Sequence, residues 1–254
     1  MTALLASSLA FHPERPDRAL ARALALGFAG VEFLCEPPWH PRAWSPDLVR
    51  AVGRSGAVLS LHAPVADVNL MSPHPGVRAW AEEEVGATLQ LAAGLGAGTV
   101  TFHLGYKPLA GVPHAPPWAE ALAAARRLRE LAQPLGVELC LENDPRLPGA
   151  YLWDLGQFRE VLAELGTPGT LDLGHAWISH GAEALRLLPP LLPHLRGVHL
   201  HDNRGRGDDH LALGDGEIDL AAAWGTLEDV PLAVLEVKDL QALERSRSWI
   251  SERS

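Results

Sequence analysis

The stretch 58–105 decides the fold. It opens with the apolar run Val58-Leu59-Ser60-Leu61-His62, crosses an alanine- and leucine-rich segment that closes on Leu95-Gly96, and ends in a second apolar run, Thr99-Val100-Thr101-Phe102-His103. Two short runs rich in β-branched and large apolar residues predict strands, and apolar residues at helical spacing over 75–95 predict a helix between them. Gly96 stops that helix just before the next strand begins. A strand, a helix and a strand in this order make a βαβ unit, which implies a parallel sheet.

Outward from this unit the same grammar repeats. Strands are expected over 3–11, 30–35, 58–64, 99–105, 137–143, 169–176, 195–202 and 231–238, with helices such as 17–26, 75–95, 118–135 and 155–165 between them. Leu26-Gly27, Leu135-Gly136 and Leu165-Gly166 repeat the helix stop of Leu95-Gly96. Eight units in 254 residues allow roughly 32 residues each, and eight units favour closure over an open sheet. The expected fold is therefore α/β, a (β/α)₈ TIM barrel, as a single domain over 1–254. No Gly-x-Gly-x-x-Gly turn follows the first strand, which argues against an open dinucleotide-binding sheet. The proline-rich pieces 35–46, 108–117 and 187–193 fall between elements of the repeat, and those that leave strand ends are candidate walls of a substrate pocket.

Composition narrows the function classes. Hydrophobic residues make up 47% and charged residues 20%, the balance of a folded globular chain. The formal net charge of −10 supplies no basic footprint, so DNA is disfavoured as a partner. The two cysteines, Cys35 and Cys140, sit in apolar strand-like runs and read as reduced core residues. The apolar N-terminus has no basic leading segment, and no run of about 18 uninterrupted apolar residues occurs, so a cytoplasmic protein without a membrane partner is expected.

The chemistry lies at the strand ends. Strand three ends on His62, strand four on His103, strand five on Glu142-Asn143, strand six on Asp172-Leu173-Gly174-His175, strand seven on His199-Leu200-His201-Asp202, and strand eight carries Glu236. The following loop adds Asp208-Asp209-His210. A single histidine after an apolar run is usually an ordinary hydrogen-bonded side chain. Six strand ends in a barrel are another matter, because they converge on one mouth. Carboxylates packed there repel unless protons or cations neutralise them. Imidazole nitrogen with carboxylate oxygen suits zinc, manganese or ferrous iron, and without a thiolate pair a structural zinc site is disfavoured.

With these motifs the chain resembles the xylose-isomerase-like TIM-barrel superfamily, in particular the endonuclease IV family and its sugar-phosphate isomerase/epimerase-like relatives. The resemblance rests on Leu61-His62-Ala63-Pro64, Phe102-His103-Leu104-Gly105, Leu141-Glu142-Asn143, Leu171-Asp172-Leu173-Gly174-His175 and the segment from His199 to Asp219. It implies three divalent ions, Zn²⁺ or Mn²⁺ or Fe²⁺. The first would be held by His62, His103 and Glu142, and the second by Glu142, Asp172, His199 and Glu236. His175, Asp208 and His210 would hold the third. The reaction so implied is hydrolysis of a phosphate ester, with Glu142 and Glu236 as catalytic residues that position a hydroxide.

Two departures qualify that expectation. Endonuclease IV enzymes enter abasic DNA with an Asn-Gln-Arg run after strand two and an aromatic residue after the strand-three histidine, where this chain has Glu36-Pro37-Pro38 and Val65. The alternative within the superfamily is a sugar or sugar-phosphate isomerase or epimerase that uses one metal at Glu142, Asp172, His199 and Glu236. In it the two glutamates exchange protons at the carbon beside a carbonyl. The Asp208-x-His210 pair, spaced for two ligands on one ion, favours the hydrolase. Arg204, Lys238 and Trp39 are candidate contacts to a small phosphate ester or sugar, and Glu32 is a candidate partner of a ligand imidazole. Period two along strand seven puts His201 on the face of His199, and its role stays open.

Overall fold

The computed structural model describes residues 2–107 and 115–253, so residues 108–114 of the expected proline-rich loop lie outside the described residues. Eight strands form one closed parallel barrel in sequence order. They are β1 (Ala3–Ser7), β2 (Gly30–Leu34), β3 (Val58–His62), β4 (Thr99–Phe102), β5 (Glu138–Glu142), β6 (Gly169–Asp172), β7 (Leu195–Leu200) and β8 (Leu232–Leu235). Helices α1 (Pro16–Ala25), α2 (Pro46–Gly53), α3 (Pro75–Leu95), α4 (Trp118–Leu135) and α5 (Leu155–Leu165) alternate with the first six strands. After β6 come α6 (Leu173–His180) and the single turn α7 (Ala184–Leu187), then α8 (Leu220–Leu227) between β7 and β8, and α9 (Leu240–Ser251) last. Gly96 and Gly136 take the left-handed conformation, φ 71° and 69°, that ends α3 and α4.

Strand period two sorts the side chains. Leu61, Val100, Phe102, Leu139, Leu141, Leu171, Val198 and Leu235 are fully or almost fully buried, in the shell shared with the helices. The alternate positions face inward, and many of them are polar. Glu32, Ser60, Thr99, Thr101, Thr170 and His199 line one small internal cavity. Thr99 Oγ1 donates to Ser60 Oγ (2.8 Å), which donates to Glu32 Oε2 (2.7 Å), and the Thr101 and Thr170 hydroxyls pair at 2.8 Å. Burying hydroxyls and a carboxylate is tolerable because they satisfy one another.

Several expected strands stop early, for local reasons. Ser7 accepts from Leu9 N–H, which turns residues 8–11 into a 3₁₀ turn instead of more strand. Asp172 caps α6 by accepting from His175 N–H at 2.6 Å, so the chain leaves the sheet four residues before the expected end at 176. Strand eight ends at Leu235 instead of 238. His62, Glu142 and Asp172 therefore sit on the last strand position, His103 and Glu236 just beyond it, and His199 one residue before the end of β7. Cys35 and Cys140 are both buried and free. Among the described residues no helix is long and apolar enough to cross a membrane.

Phe102 is among the largest fully buried side chains. Phe102→Ala should lower unfolding free energy by about 3–5 kcal/mol in denaturant titrations, with Phe102→Leu costing clearly less. Equal losses for the two would mean that the ring does not fill this space.

Candidate metal centre

At the C-terminal mouth of the barrel the expected ligands come together around Glu142. His62 Nε2 lies 3.0 Å and His103 Nε2 3.2 Å from Glu142 Oε2, while His199 Nδ1 lies 3.3 Å from Oε1. His199 Nδ1 is also 3.2 Å from Glu236 Oε2. Asp208 Oδ2 is 2.9 Å from His210 Nε2 and 3.4 Å from His175 Nε2. Asp172 Oδ2 lies 4.0 Å from His199 Nδ1, so all nine residues anticipated as ligands converge.

The imidazoles are aimed by what holds their second nitrogen. Nδ1 donates to Ala63 O in His62 (2.7 Å), to Asn143 O in His175 (2.8 Å) and to Glu236 O in His210 (2.7 Å). In His103 it donates to Asp144 Oδ1 at 3.0 Å. Each pairing leaves Nε2 as the lone-pair nitrogen facing the cluster. His199 is turned about: its Nε2 lies 2.8 Å from Glu32 Oε1, and Nδ1 faces Glu142 and Glu236. Glu32, a candidate from its place in strand two, thus stands in ion-pair range of the His199 ring.

The donors fit a divalent cation. Two atoms bound about 2.1 Å from one ion stand about 3.0 Å apart at a right angle and about 3.4 Å at the tetrahedral angle. The nitrogen to oxygen separations above fall on that scale. Glu142, Asp172, His199 and Glu236 offer four ligand atoms within 4.8 Å of one another, and so do the three of His62, His103 and Glu142. His199 Nδ1 and Asp172 Oδ2 are buried without a hydrogen-bond partner among the described residues. An orphaned nitrogen and oxygen in one buried cluster are what a metal site requires of its ligands.

Without an ion the cluster balances itself by protons. Burial pulls the His103 imidazole down, but the charge of Glu142 and hydrogen bonds to Asp144 and Glu142 outweigh it and raise its pKa to about 10. Burial likewise opposes protonation of His210, yet Asp208 and Glu236 carry it up to about 9. His62, His175 and His199 move in the same direction. Burial raises Glu142, Asp208 and Glu236, and the imidazoles beside them overcome this and hold all three below the usual carboxylate range.

A cavity of about 410 Å³ opens above the centre. Its floor includes His62, His103, Glu142, His175, Asp208, His210 and Glu236, and its walls include Leu34, Val65, Val68, Tyr106, Lys107 and Leu147. The three substrate contacts expected from sequence are not part of this wall. Trp39 donates its indole N–H to Pro13 O (3.2 Å) and packs on the core. Arg204 is exposed, with its backbone N–H on Asp209. Lys238 is exposed beyond the end of β8, where strand alternation no longer directs it. Lys107 is the lysine at the cavity, carried there by the loop after β4, with its N–H donating to Gly149 O at 2.7 Å.

Two further residues organise the site: Asp144, which no motif included, and Asp202, which closes the strand-seven motif without a role assigned to it there. Asp144 orients His103 and also accepts from Leu152 N–H at 2.9 Å. Asp202, fully buried, accepts from the backbone N–H groups of Asn203, Gly214, Gly216 and Ile218 and so ties down the loop that carries Asp208 and His210. The segment from His199 to Asp219 carries this knot in sequence, but not which amides Asp202 would bind.

Two outcomes follow. Asp202→Ala should cost about 3 kcal/mol by removing a charged acceptor from buried amides, and should speed hydrogen exchange at 214, 216 and 218. Unchanged exchange there would remove Asp202 from this role. The raised imidazoles stabilise metal-free protein fully below about pH 6.5 and lose that effect as pH climbs through 9 to 10; the lowered carboxylates act above about pH 4 and fail in acid. The melting temperature of metal-free protein should therefore fall from pH 6.5 to 10, while the increment from added Mn²⁺ or Zn²⁺ grows over that range, since metal must displace those protons. A pH-independent increment would contradict the ligand assignment.

Comparison with known proteins agrees with this architecture. A D-tagatose 3-epimerase-like protein superposes with a TM-score of 0.85 at 24% identity, covering 99% of this chain and 97% of its own. An L-ribulose 3-epimerase matches at 0.81 and 21% identity, covering 100% and 94%. A protein from Thermus thermophilus, from a crystal soaked in zinc chloride, matches at 0.73 and 28% identity, covering 100% and 98%. The family described as xylose isomerase-like TIM barrel matches residues 20–253, and the chain belongs to that family.

Proposed function

We propose that this protein is a divalent-metal-dependent isomerase or epimerase of a small sugar or sugar phosphate. The observation that carries the reading is the pair Glu142 and Glu236, both buried, both within 3.3 Å of His199 Nδ1, and both facing a cavity of about 410 Å³. Glu142, Asp172, His199 and Glu236 are the residues that would hold the metal. When bound, it would polarise the carbonyl and hydroxyl oxygens of the substrate and so acidify the adjacent C–H. Glu142 and Glu236 are kept ionised by the imidazoles around them, so either can accept that proton. Two carboxylates let one remove the proton and the other return one to the same carbon, which inverts it. His62 and His103 line the floor within reach of sugar hydroxyls, Leu34, Val65 and Val68 offer an apolar wall to the C–H face, and Lys107 is placed for an anionic group.

The sequence alone ranked phosphate-ester hydrolysis first. Likeness to sugar epimerases along the whole barrel supports the other order. Hydrolysis keeps one observation in its favour, the additional donors His175, Asp208 and His210 beside the four-residue group.

Metal-reconstituted protein in D₂O should incorporate deuterium at the carbon beside the carbonyl of a ketose such as D-tagatose or L-ribulose, read by NMR. Glu236→Gln should slow this about 10²–10⁴-fold, with metal content measured on the same sample. Aryl phosphodiesters and an abasic duplex should be cleaved poorly. Fast phosphodiester cleavage without deuterium exchange would install hydrolysis instead.

A further inference from the structure

Glu36, just past the end of β2, and Val65, in the loop after β3, both stood out in the sequence, and the reading above leaves Glu36 without a part. The structure joins the two. Glu36 Oε1 accepts the Val65 N–H at 2.6 Å and the Ala66 N–H at 2.8 Å. Among the described residues Glu36 belongs to none of the groups able to hold a metal ion, so this carboxylate is separate from the cluster around Glu142.

We propose that Glu36 is a positioning residue for substrate: it latches the loop after β3 to the loop after β2 and so fixes Val65 as a wall of the cavity. For the identity of that substrate this rests on the sugar reading above. Glu36 touches neither the metal donors nor the reacting carbon in this scheme. Its effect is on how well the cavity holds its ligand, and the chemical step stays with Glu142 and Glu236.

Several features bear on this latch. Two consecutive amides on one carboxylate oxygen are charge-assisted bonds, stronger than bonds between neutral groups. The turn they hold continues through Asp67, whose φ of 62° is a left-handed conformation uncommon outside glycine and kept only where the surroundings enforce it. At the far end of the turn, Asn69 binds the backbone of Tyr106 both ways, donating from Nδ2 to its O at 2.7 Å and accepting its N–H on Oδ1 at 3.2 Å. A Cβ on Gly105, φ 116°, would stand 2.2 Å from Asn69 Oδ1 and 2.9 Å from Asn69 Cα, so only glycine lets the loop after β4 come this close. Segment 65–69 is therefore held at both ends, and Val65, Val68 and Tyr106 all line the cavity. Val65 and Tyr106 remain 37% and 38% exposed, which leaves their apolar surface available to a ligand. Because Glu36 consumes the amides of residues 65 and 66, Val65 meets that ligand through its side chain. Removing Glu36 leaves Asn69 as the remaining side-chain tie on this turn, and the wall at Val65 loses its fixed place.

The test uses the full chain loaded with Mn²⁺. Glu36→Ala should exchange the amide hydrogens of Val65 and Ala66 at least about 10-fold faster. It should also raise KM for D-tagatose about 10-fold in the deuterium-incorporation assay, with kcat within about 3-fold of wild type and metal content unchanged. Glu36→Gln, which keeps an oxygen acceptor, should recover most of the loss. Val65→Ala should raise KM likewise, and the double variant Glu36→Ala with Val65→Ala should cost no more than the larger single effect, because both act through one wall. Unchanged amide exchange at 65 and 66, additive effects in the double variant, or a kcat that falls while KM stays put would overturn the proposal. If Glu36→Ala does not fold, Glu36→Gln and Val65→Ala carry the same cycle. Wild type that incorporates no deuterium sinks the sugar reading, and the latch then stands or falls on amide exchange at 65 and 66.

Discussion

The structure depends on how much negative charge the mouth of the barrel collects. Glu142, Asp172 and Glu236 are buried within one cluster, with Glu32 and Asp208 at its edges. Such a concentration is untenable unless cations or protonated imidazoles are interleaved with it. The chain interleaves them with strict economy, since every carboxylate in the cluster has at least one imidazole nitrogen within 3.2 Å. Under the metal-dependent reading proposed above, a cation would compete with protons for the same lone pairs.

That economy reaches outward into the backbone. Three of the imidazoles are held by main-chain carbonyls of residues that themselves flank ligands: Ala63 follows His62, Asn143 follows Glu142, and Glu236 is itself a ligand. The Asn143 side chain adds a two-way brace to the backbone of Asp172, donating to its O at 3.1 Å and accepting from its N–H at 2.8 Å. The placing of His62, His103, Glu142, Asp172, His199 and Glu236 is therefore a property of the strand ends, while Asp208 and His210 depend on the loop that Asp202 ties down.

The same frame serves two chemistries because proton transfer at carbon and attack at phosphorus both need polarised oxygens and a positioned carboxylate. What separates them is the number of coordination positions open to substrate. Glu142 and Glu236 both face the cavity, while Asp172 and His199 lie behind them, which accords with two carboxylates that exchange a proton at one sugar carbon. Apolar walls at Leu34, Val65 and Val68 suit a small ring better than a polyanionic duplex.

The barrel was legible in the sequence because its signals are local. Period-two runs, helical spacing and glycine stops each act over a few residues, and their eightfold repetition leaves one closed solution. That the nine candidate residues would meet at one mouth was legible for a related reason: strand ends of a barrel converge whatever the details. Sequence did not reveal where strands stop, because Asp172 and Ser7 end them by hydrogen bonds to the next backbone amides. Nor did it reveal which residues wall the cavity. Trp39, Arg204 and Lys238 are loop or post-strand residues whose direction is set by distant partners, and the same freedom brought Lys107 to the cavity instead. Asp144, Asp202 and the bond of Glu36 to the Val65 amide belong to that class as well, since each depends on contacts between segments apart in the chain, which only the closed barrel brings together.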